Sequence, residues 1–201
     1  MIDTVIFDIG NVLMAFDNVT YMRDLLEDEE TVRHVDEAIW LSGYWDELDR
    51  GVDPEEAFSW MTDRDPEYRE EIRRTLEHVD QCMGRKEYAI PWIRELKERG
   101  LRVLYLSNYS HFCMDLKPEV LDFLPYMDGG IFSCEVKSIK PEEEIYRIME
   151  KTCHLDPEHC VFLDDREANL ATARKMGWNT IRFENYEQAR EDLEEMLINK
   201  K

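Results

Sequence analysis

Two short apolar runs, far apart in the sequence, each end in aspartate. Residues 5–7 lead into Asp8, and residues 161–163 lead into the pair Asp164 and Asp165. Runs of valine, isoleucine and phenylalanine bounded by turn residues are typical of parallel strands that are buried on both faces. Open α/β sheets place their sites just beyond the carboxyl ends of such strands. The two runs therefore predict strand ends whose carboxylates hold a hard cation.

Aspartate is also a favoured helix-start residue, so one pair alone could simply cap a turn and the helix that follows. Two further signals favour a functional role for these aspartates over simple capping. A third apolar run, residues 104–106, ends in Ser107 and Asn108, and Lys140 stands directly before Pro141, a residue suited to opening a helix. The four elements together favour a functional site, because their joint occurrence is more specific than any one of them.

This order of elements resembles the haloacid dehalogenase superfamily, whose pattern is a strand-end aspartate, a strand-end serine or threonine, a lysine near a helix start and a later acidic pair. The resemblance extends from Met1 to about Arg182. It implies an α/β fold, a Rossmann-like doubly wound parallel sheet with an inserted helical-bundle cap. Within the superfamily, the motifs are most similar to the branch of the bacterial α-D-glucose-1-phosphate phosphatases, which shares glycine at position 10.

The segment between the first and third runs has its own pattern. From residue 17 to residue 86 the chain loses β-branched runs, and apolar residues recur at helical spacing. Beyond residue 87, strand and helix patterns alternate, which is typical of a doubly wound sheet. We therefore predict a core of residues 1–16 and 87–201 and a helical cap of residues 17–86, which by resemblance closes over the site and selects the substrate.

Charge and composition exclude several classes of partner. The chain of 201 residues carries a formal net charge of −21, which repels the phosphates of DNA and RNA. No apolar run approaches the ~20 residues that cross a bilayer, and the N-terminus lacks a signal-peptide pattern. Five scattered cysteines fit a reducing compartment. We predict a cytoplasmic protein that acts on a small phosphorylated metabolite, without nucleic acid, membrane or a required oligomer.

The resemblance assigns a role to each carboxylate. Asp8 is expected to be the nucleophile, forming an aspartyl-phosphate. Mg²⁺, the expected cofactor, would be bound by Asp8, the backbone carbonyl of Gly10 and Asp165, with water and phosphate oxygens completing its octahedral shell. Asp164 and Asn169 would hold the metal-bound waters. The residues alone leave Asp164 and Asp165 interchangeable as the direct ligand.

Positive and polar groups are needed because carboxylates alone repel a phosphate dianion. Lys140 is expected to supply the positive charge, and Ser107 and the backbone N–H of Asn108 to donate hydrogen bonds to phosphoryl oxygens. His111 is a further candidate, since it follows Asn108 by three residues and histidine is a common acid or base in catalysis. Candidate cap contacts to the organic part of the substrate are Trp40, Tyr44, Trp45 and Arg50. Helix-spaced aromatic residues are also typical of a core, and that alternative stays open.

Gly10 departs from the pattern of the superfamily's phosphatases, which usually carry a second aspartate two residues after the nucleophile. That residue protonates the leaving oxygen and then activates water, help that is worth ~10²- to 10⁴-fold. A leaving group that needs little protonation, such as the anomeric hydroxyl of a sugar 1-phosphate, would make its loss tolerable. Another acid such as Asp17, or a water, could also substitute.

Two other functions also fit a missing acid. A dehalogenase lacks it and uses a strand-end aspartate on carbon, but that chemistry needs no Mg²⁺, whereas this chain retains its acidic pair. A protein that binds a phosphorylated ligand or a partner without turnover would lack it as well, yet has no chemical need for Asp8. The preferred prediction is a Mg²⁺-dependent phosphomonoesterase that acts on a small phosphate ester, such as a sugar phosphate.

Overall fold

A five-stranded parallel sheet forms the centre of the computed structural model, which describes residues 1–199. Its strand order is β5-β4-β1-β6-β7, and a separate antiparallel pair joins β2 to β3. The strands are β1 (Thr4–Phe7), β2 (Met14–Phe16), β3 (Met83–Arg85), β4 (Arg102–Ser107), β5 (Gly130–Phe132), β6 (Cys160–Asp164) and β7 (Asn179–Arg182). The predicted Rossmann-like parallel sheet is thereby confirmed.

Eleven helices accompany these strands in the described part of the chain. Five lie between β2 and β3: α1 (Asn18–Leu25), α2 (Glu29–Ile39), α3 (Tyr44–Asp49), α4 (Pro54–Arg64) and α5 (Arg69–Glu77). Six follow β3: α6 (Ala89–Glu98), α7 (His111–Leu116), α8 (Ser133–Val136), α9 (Glu143–Cys153), α10 (Glu167–Lys175) and α11 (Tyr186–Asn199). None of the helices in residues 1–199 combines the length and the apolar character needed to cross a membrane.

Both faces of the sheet are covered, which explains why its strands read as continuous apolar runs. In β1, Val5 and Phe7 belong to one buried cluster and Ile6 belongs to the other, as the two-residue period of a strand requires. Helices α6 and α11 contribute to the first cluster, and α9 and α10 to the second. The sheet is therefore doubly wound, with helices on each side.

The helical segment is attached to the core through the β2–β3 pair, in which Ala15 lies opposite Gly84. Aspartate caps begin several of its helices, as the sequence predicts. Asp28 accepts a hydrogen bond from the Thr31 N–H, and Asp53 accepts one from the Glu55 N–H ahead of Pro54. The division into core and cap at residues 17 and 86 stays a prediction, and it falls within a few residues of the two ends of this ribbon.

Some element boundaries differ from the sequence-based expectation. An aspartate followed by proline is typical of a helix start, but after Asp65 the chain forms only a single 3₁₀ turn, Pro66–Tyr68, and α5 begins after it. Pro141 does not open α9, which begins two residues later with Glu142 as its N-cap. Helix α7 and the ribbon strands β2 and β3 have no counterpart in the prediction. Elements of three to six residues contain too few periods to stand out in a sequence.

Register brings the carboxylates of the two strand ends together. Phe7 pairs with Leu163 across β1 and β6, so Asp8 and Asp164 emerge side by side at the same edge. The Asp8 N–H donates to the Leu163 carbonyl at 2.8 Å, which extends the pairing to Asp8 itself. Phe7 pairs with Tyr105 on the other side, which places the end of β4 at this edge as well.

Substitution of Trp92 tests how much core packing beside this edge of the sheet contributes to stability. It is 1 % exposed and packs edge-on against Phe7, with ring centroids 4.9 Å apart, directly before Asp8. We expect Trp92→Ala to lower the free energy of unfolding by about 3–5 kcal/mol, because it removes a buried indole and leaves a cavity. Urea denaturation measures this value. Leu41→Ala is the control, since Leu41 is 70 % exposed and its loss should change stability by less than about 0.5 kcal/mol. A loss below 1 kcal/mol for Trp92→Ala would contradict this account of the core.

Candidate active site

Three carboxylates converge at the carboxyl edge of the sheet. One oxygen from each of Asp8, Asp164 and Asp165 lies within 4.8 Å of the others. Asp8 and Asp164 are buried and Asp165 is half-buried. Carboxylates this close repel one another unless a cation lies among them, so the arrangement is that of a site for a hard metal ion.

Lys140 is the buried cation beside these groups. Its Nζ lies 2.8 Å from Asp8 Oδ1 and 2.7 Å from Asp164 Oδ2, and the residue is 2 % exposed. Burial lowers the pKa of Lys140, but Asp164 and Asp8 more than offset this effect, so the pKa stays above its usual value. The ammonium group therefore remains charged and neutralises part of the carboxylate cluster.

Asn108 holds the backbone that carries Lys140. Its Oδ1 accepts a hydrogen bond from the Lys140 N–H at 2.7 Å, and its Nδ2 donates to the Lys140 carbonyl at 3.0 Å. The amide side chain thus binds both polar groups of one residue, 32 positions along the chain. Asn108 lies directly after β4, so the end of this strand sets the position of the lysine.

Lys140 alone does not balance the carboxylates. Burial raises the pKa of Asp8 to about 7, and although Lys140 opposes this shift, Asp164 and Asp165 add to it. Burial and the neighbouring Asp164 also raise the pKa of Asp165. A further positive charge at this edge would favour the ionised form of both groups.

The two adjacent aspartates have different surroundings. Asp164 accepts hydrogen bonds from Lys140, from Asn169 Nδ2 at 2.9 and 3.0 Å and from the Arg166 N–H at 2.7 Å, so both of its oxygens have partners. Asp165 lines the adjoining cavity, and within residues 1–199 the side-chain hydrogen bond found for it is with Asn11. This difference favours Asp165 as the residue with oxygens free for a ligand.

The side chain of Asn169 has a buried hydrogen-bond acceptor to which no described residue donates. Its Oδ1 is buried and accepts no hydrogen bond from any residue in the described range 1–199, although Asn169 lines the cavity. A buried acceptor without a donor is costly, so a group that donates to it is expected here. Water bound to a metal ion would be such a donor, and the residues present therefore fit a hydrated Mg²⁺.

A cavity of about 460 Å³ opens over the carboxylates. Its floor comes from the core and includes Asp8, Gly10, Asn108, Lys140, Asp165 and Asn169. Its opposite wall comes from the helical segment and includes Trp40, Trp45, Asp46 and Asp49. A ligand in this cavity contacts both parts of the chain, which is the arrangement expected of a core and a cap.

The expected substrate contacts of the helical segment divide into two groups. Trp45 and Trp40 line the cavity, and the buried Trp40 Nε1 finds no acceptor among residues 1–199. Tyr44 packs against Trp60 instead, with ring centroids 5.8 Å apart. Arg50 lies outside the lining, because its guanidinium binds both oxygens of Glu142 at 2.8 Å. The structure thus brings the two indoles to the cavity but not Arg50.

Three other candidates also lie away from the lining within the described chain. His111 is exposed at the first position of α7. Asp17, considered as a substitute acid, is exposed and caps α1, and its hydrogen bonds from Thr20 lower its pKa, which is the wrong direction for a proton donor. Ser107 is buried at the end of β4, where its hydroxyl donates to the Asn108 carbonyl at 3.4 Å.

Several lining residues have no place in the sequence-based prediction, among them Asn11 and Asp49. Asn11 adopts a left-handed backbone conformation with φ +58° and accepts the Phe16 N–H, which turns the chain from β1 into the ribbon. Asp49 is 7 % exposed at the end of α3. The sequence spacing could have indicated Asp49 as a lining residue, since Asp49 follows Trp45 by four residues and so lies on the same face of the helix.

Comparison with known proteins identifies a family. The profile of haloacid dehalogenase-like hydrolases matches residues 2–177. A bifunctional epoxide hydrolase 2 from Mus musculus is 42% identical over 105 residues, which are 50% of this chain and 19% of the mouse protein. The chain therefore spans about a fifth of the length of that relative.

Two phosphatases match over more of their own length. A sesquiterpene phosphatase from Aspergillus oryzae is 24% identical over 178 residues, which are 86% of this chain and 85% of the fungal protein. A D-ribitol-5-phosphate phosphatase from Bacteroides thetaiotaomicron is 30% identical over 108 residues, 49% of this chain and 52% of that protein.

A solved structure shares the fold. It is a HAD family enzyme from Bacteroides thetaiotaomicron, in complex with magnesium and inorganic phosphate. The TM-score is 0.71 at 19% sequence identity, and the match covers 92% of this chain and 98% of that chain.

Lys140→Met tests the balance of charge in the carboxylate cluster. Removal of one partner from a buried ion pair costs about 3–5 kcal/mol, and we expect this loss of unfolding free energy at pH 8. The loss should be smaller at pH 5. Carboxyl groups with raised folded-state pKa values bind protons more readily than in the unfolded chain, so their penalty falls as the pH falls. Urea denaturation at both pH values measures the difference.

Lys151→Met provides the control for the loss of a lysine, because Lys151 is exposed on α9 and should change stability by less than about 0.5 kcal/mol. An equal loss at pH 5 and pH 8 in Lys140→Met would show that Lys140 does not act through the buried carboxylates.

Proposed function

The chain belongs to the haloacid dehalogenase-like hydrolase family, and from this premise we propose that it is a Mg²⁺-dependent phosphomonoesterase that acts on a small phosphate ester. One observation carries the proposal: three carboxylates, one of them directly after β1, converge with a buried lysine under a cavity. Relatives named as phosphatases, and a structural neighbour that holds magnesium and phosphate, support the same chemistry.

Mg²⁺ would be held by Asp8, by the backbone carbonyl of Gly10 and by Asp165, with Asp164 and Asn169 binding its waters. The Asn169 Oδ1, to which no residue of the described range donates, and the position of Asp165 in the cavity lining support this division. When bound, the ion supplies positive charge to the phosphate oxygens and to the ionised carboxylates. Asp164 would stay outside direct coordination because its oxygens already accept hydrogen bonds from Lys140, Asn169 and Arg166.

The reaction proceeds in two displacements at phosphorus. In the first, a carboxylate oxygen of Asp8 attacks the phosphoryl group and the ester oxygen leaves, which forms an aspartyl-phosphate. Lys140 offsets the negative charge of the phosphoryl oxygens, and the backbone N–H of Asn108 donates a hydrogen bond to them. The Ser107 hydroxyl would also donate to them once it turns away from the Asn108 carbonyl. In the second, water attacks the same phosphorus and restores Asp8 with release of inorganic phosphate.

The walls of the cavity favour a small ester that carries hydroxyl groups. A volume of about 460 Å³ is in the range of small-molecule sites. The buried Nε1 of Trp40 needs an acceptor, which a substrate hydroxyl would supply. The faces of Trp40 and Trp45 would contact a sugar ring. We therefore propose a sugar phosphate or a related polyol phosphate as the substrate class.

Phosphate release with Mg²⁺ across sugar phosphates, polyol phosphates, nucleotides and phosphorylated acids tests the proposal. We expect turnover of at least one sugar or polyol phosphate. The rate should fall by ~10³-fold or more in Asp8→Asn, because the nucleophile is lost. Chelation should abolish release in the wild-type protein.

Asp115→Asn is the matched control for that experiment. Asp115 is exposed on α7, so removing its charge should leave the rate unchanged. A wild-type protein that binds Mg²⁺ yet releases phosphate from no ester would instead indicate a binding protein. Release that persists in Asp8→Asn would contradict the covalent mechanism.

Metal binding can be tested without turnover. We expect Mg²⁺ at saturation to raise the melting temperature of the wild-type protein, since a ligand that binds only the folded state stabilises it. Asp165→Asn removes a charged ligand and should abolish most of this shift, and titration calorimetry should show the same loss of affinity. Asp156→Asn, at an exposed position before β6 and so at the end of that strand opposite to the site, should retain the shift. Equal shifts in both variants would contradict the placement of the ion at Asp165.

A further inference from the structure

Asp49 is a carboxyl group in the cavity that the mechanism above does not use. It ends α3 in the helical segment and is 7 % exposed, and the surface that it retains faces the same cavity as Asp8. Within residues 1–199, no hydrogen bond or ion pair to its carboxyl group is found. A buried carboxyl without a partner in the protein is available to a ligand in the cavity.

Contacts with the core fix the position of Asp49. Its backbone carbonyl accepts the Ser133 hydroxyl at 2.6 Å, and the same hydroxyl oxygen accepts the Tyr109 N–H at 2.9 Å. The next two residues are also bound to the core, Arg50 through Glu142 and Gly51 through a hydrogen bond from Lys137 Nζ at 2.9 Å. The end of α3 is therefore attached to the segment that carries Lys140.

The surroundings of Asp49 favour its protonated form. Burial raises the pKa of its carboxyl group well above the usual value, and the negative charges of Asp46 and Asp8 act in the same direction. Lys140 and Arg166 oppose the shift without reversing it. A carboxyl group whose surroundings favour the protonated form can donate its proton to a leaving oxygen.

Gly10 leaves the opposite side of the site without an acid. Apart from Gly10 and its two neighbours in the chain, no atom of the described residues lies within 4 Å of the position that a Cβ would take at Gly10, so this position has room for a side chain that the protein does not have. An ester whose leaving group is an ordinary alcohol needs a proton in the first displacement, and water must lose one in the second. The requirement can be met from the helical wall of the cavity instead.

We propose that Asp49 is the proton donor and acceptor of the reaction, in place of an acid at position 10. This proposal rests on the proposed phosphatase function. In the first displacement the phosphorus–oxygen bond to the alcohol breaks, and the leaving oxygen takes the proton of the Asp49 carboxyl group. In the second, water transfers a proton to the Asp49 carboxylate as it attacks phosphorus, the bond to Asp8 breaks, and both carboxyl groups return to their starting states.

Leaving-group dependence tests this role in Asp49→Asn. With a poor leaving group, such as the alcohol of a sugar phosphate or glycerol phosphate, we expect the rate to fall ~10²- to 10⁴-fold, because no acid protonates the alkoxide. With 4-nitrophenyl phosphate, whose leaving group needs no proton, the rate of the first displacement, measured as the burst of nitrophenol, should change much less. A merely structural role would lower both rates by the same factor, and that result would overturn the proposal.

Controls separate this outcome from loss of the fold or of the proposed function. Glu47→Gln removes a charge from the same helix outside the cavity lining and should leave both rates unchanged. Binding of Mg²⁺ with beryllium fluoride, followed by the melting temperature, should be the same in Asp49→Asn as in the wild-type protein. A wild-type protein that hydrolyses neither ester would refute the phosphatase function itself, whereas normal phosphatase activity in Asp49→Asn would refute only the role of Asp49.

A second variant provides a rescue. Gly10→Asp in the Asp49→Asn background has room for its side chain and should restore the sugar phosphate rate by ~10-fold or more, without a matching gain on 4-nitrophenyl phosphate. Asp49→Glu, which retains the carboxyl group, should lose less sugar phosphate activity than Asp49→Asn. Equal losses in Asp49→Glu and Asp49→Asn, together with no rescue at position 10, would overturn the proposal.

Discussion

The contact of Lys140 with Asp8 and Asp164 is the interaction on which the site depends. Its ammonium group lies within 2.8 Å of both carboxylates in surroundings that exclude water almost completely. Buried ions lose several kcal/mol of hydration each, so such a cluster persists only where geometry and further hydrogen bonds compensate. The parallel register of β1 and β6 places the two carboxylates side by side, and Asn108 fixes the backbone of the lysine between them. The sheet thus brings three distant parts of the sequence together, so that the charge of Lys140 partly neutralises those of Asp8 and Asp164.

The residues present leave the charge balance of the site incomplete. Three carboxylates face one lysine, the pKa of Asp8 is raised to about 7 chiefly by burial, and Asn169 Oδ1 has no donor in the described chain. Each of these features is unfavourable in isolation, and each is relieved by a hydrated divalent cation. A phosphate dianion alone would add to the repulsion, whereas a dication together with a phosphate dianion adds no net charge. The charge count at this edge of the sheet therefore favours a dication, and a phosphate dianion binds more readily when that dication is present.

The parts of this site that could be predicted from the sequence are those that lie at strand ends. Asp8, Ser107 and Asp164 follow strands buried on both faces, and such strands produce apolar runs that can be recognised without a structure. The helical character of the inserted segment was equally visible, because its helices are amphipathic and capped by aspartate. These features depend on neighbours in the sequence and on burial alone.

The inserted segment was less predictable in its side-chain directions. Arg50 was expected at the substrate, but its partner Glu142 lies 92 residues away and draws the guanidinium to the outside. Asp49, one residue earlier, faces inward because the rotation of α3 is set by Trp45 on the same face and by contacts with Ser133 and Lys137 of the core. Such a rotation depends on long-range contacts and not on spacing. The sequence alone therefore does not show which of two neighbouring residues faces the cavity.

One turn of the core positions polar groups on both sides of the cavity in which the proposed reaction takes place. Residues 108 and 109 follow β4 directly: Asn108 holds the backbone of Lys140, and the Tyr109 N–H holds the Ser133 hydroxyl that binds the Asp49 carbonyl. The cation that balances the nucleophile and the carboxyl group on the opposite wall are therefore positioned from the same strand end. The links of α3 that are exposed to solvent, Arg50 to Glu142 and Lys137 to Gly51, contribute little stability individually. The buried Ser133 hydroxyl fixes the position of Asp49, because it hydrogen-bonds to the core and to the helical segment at once.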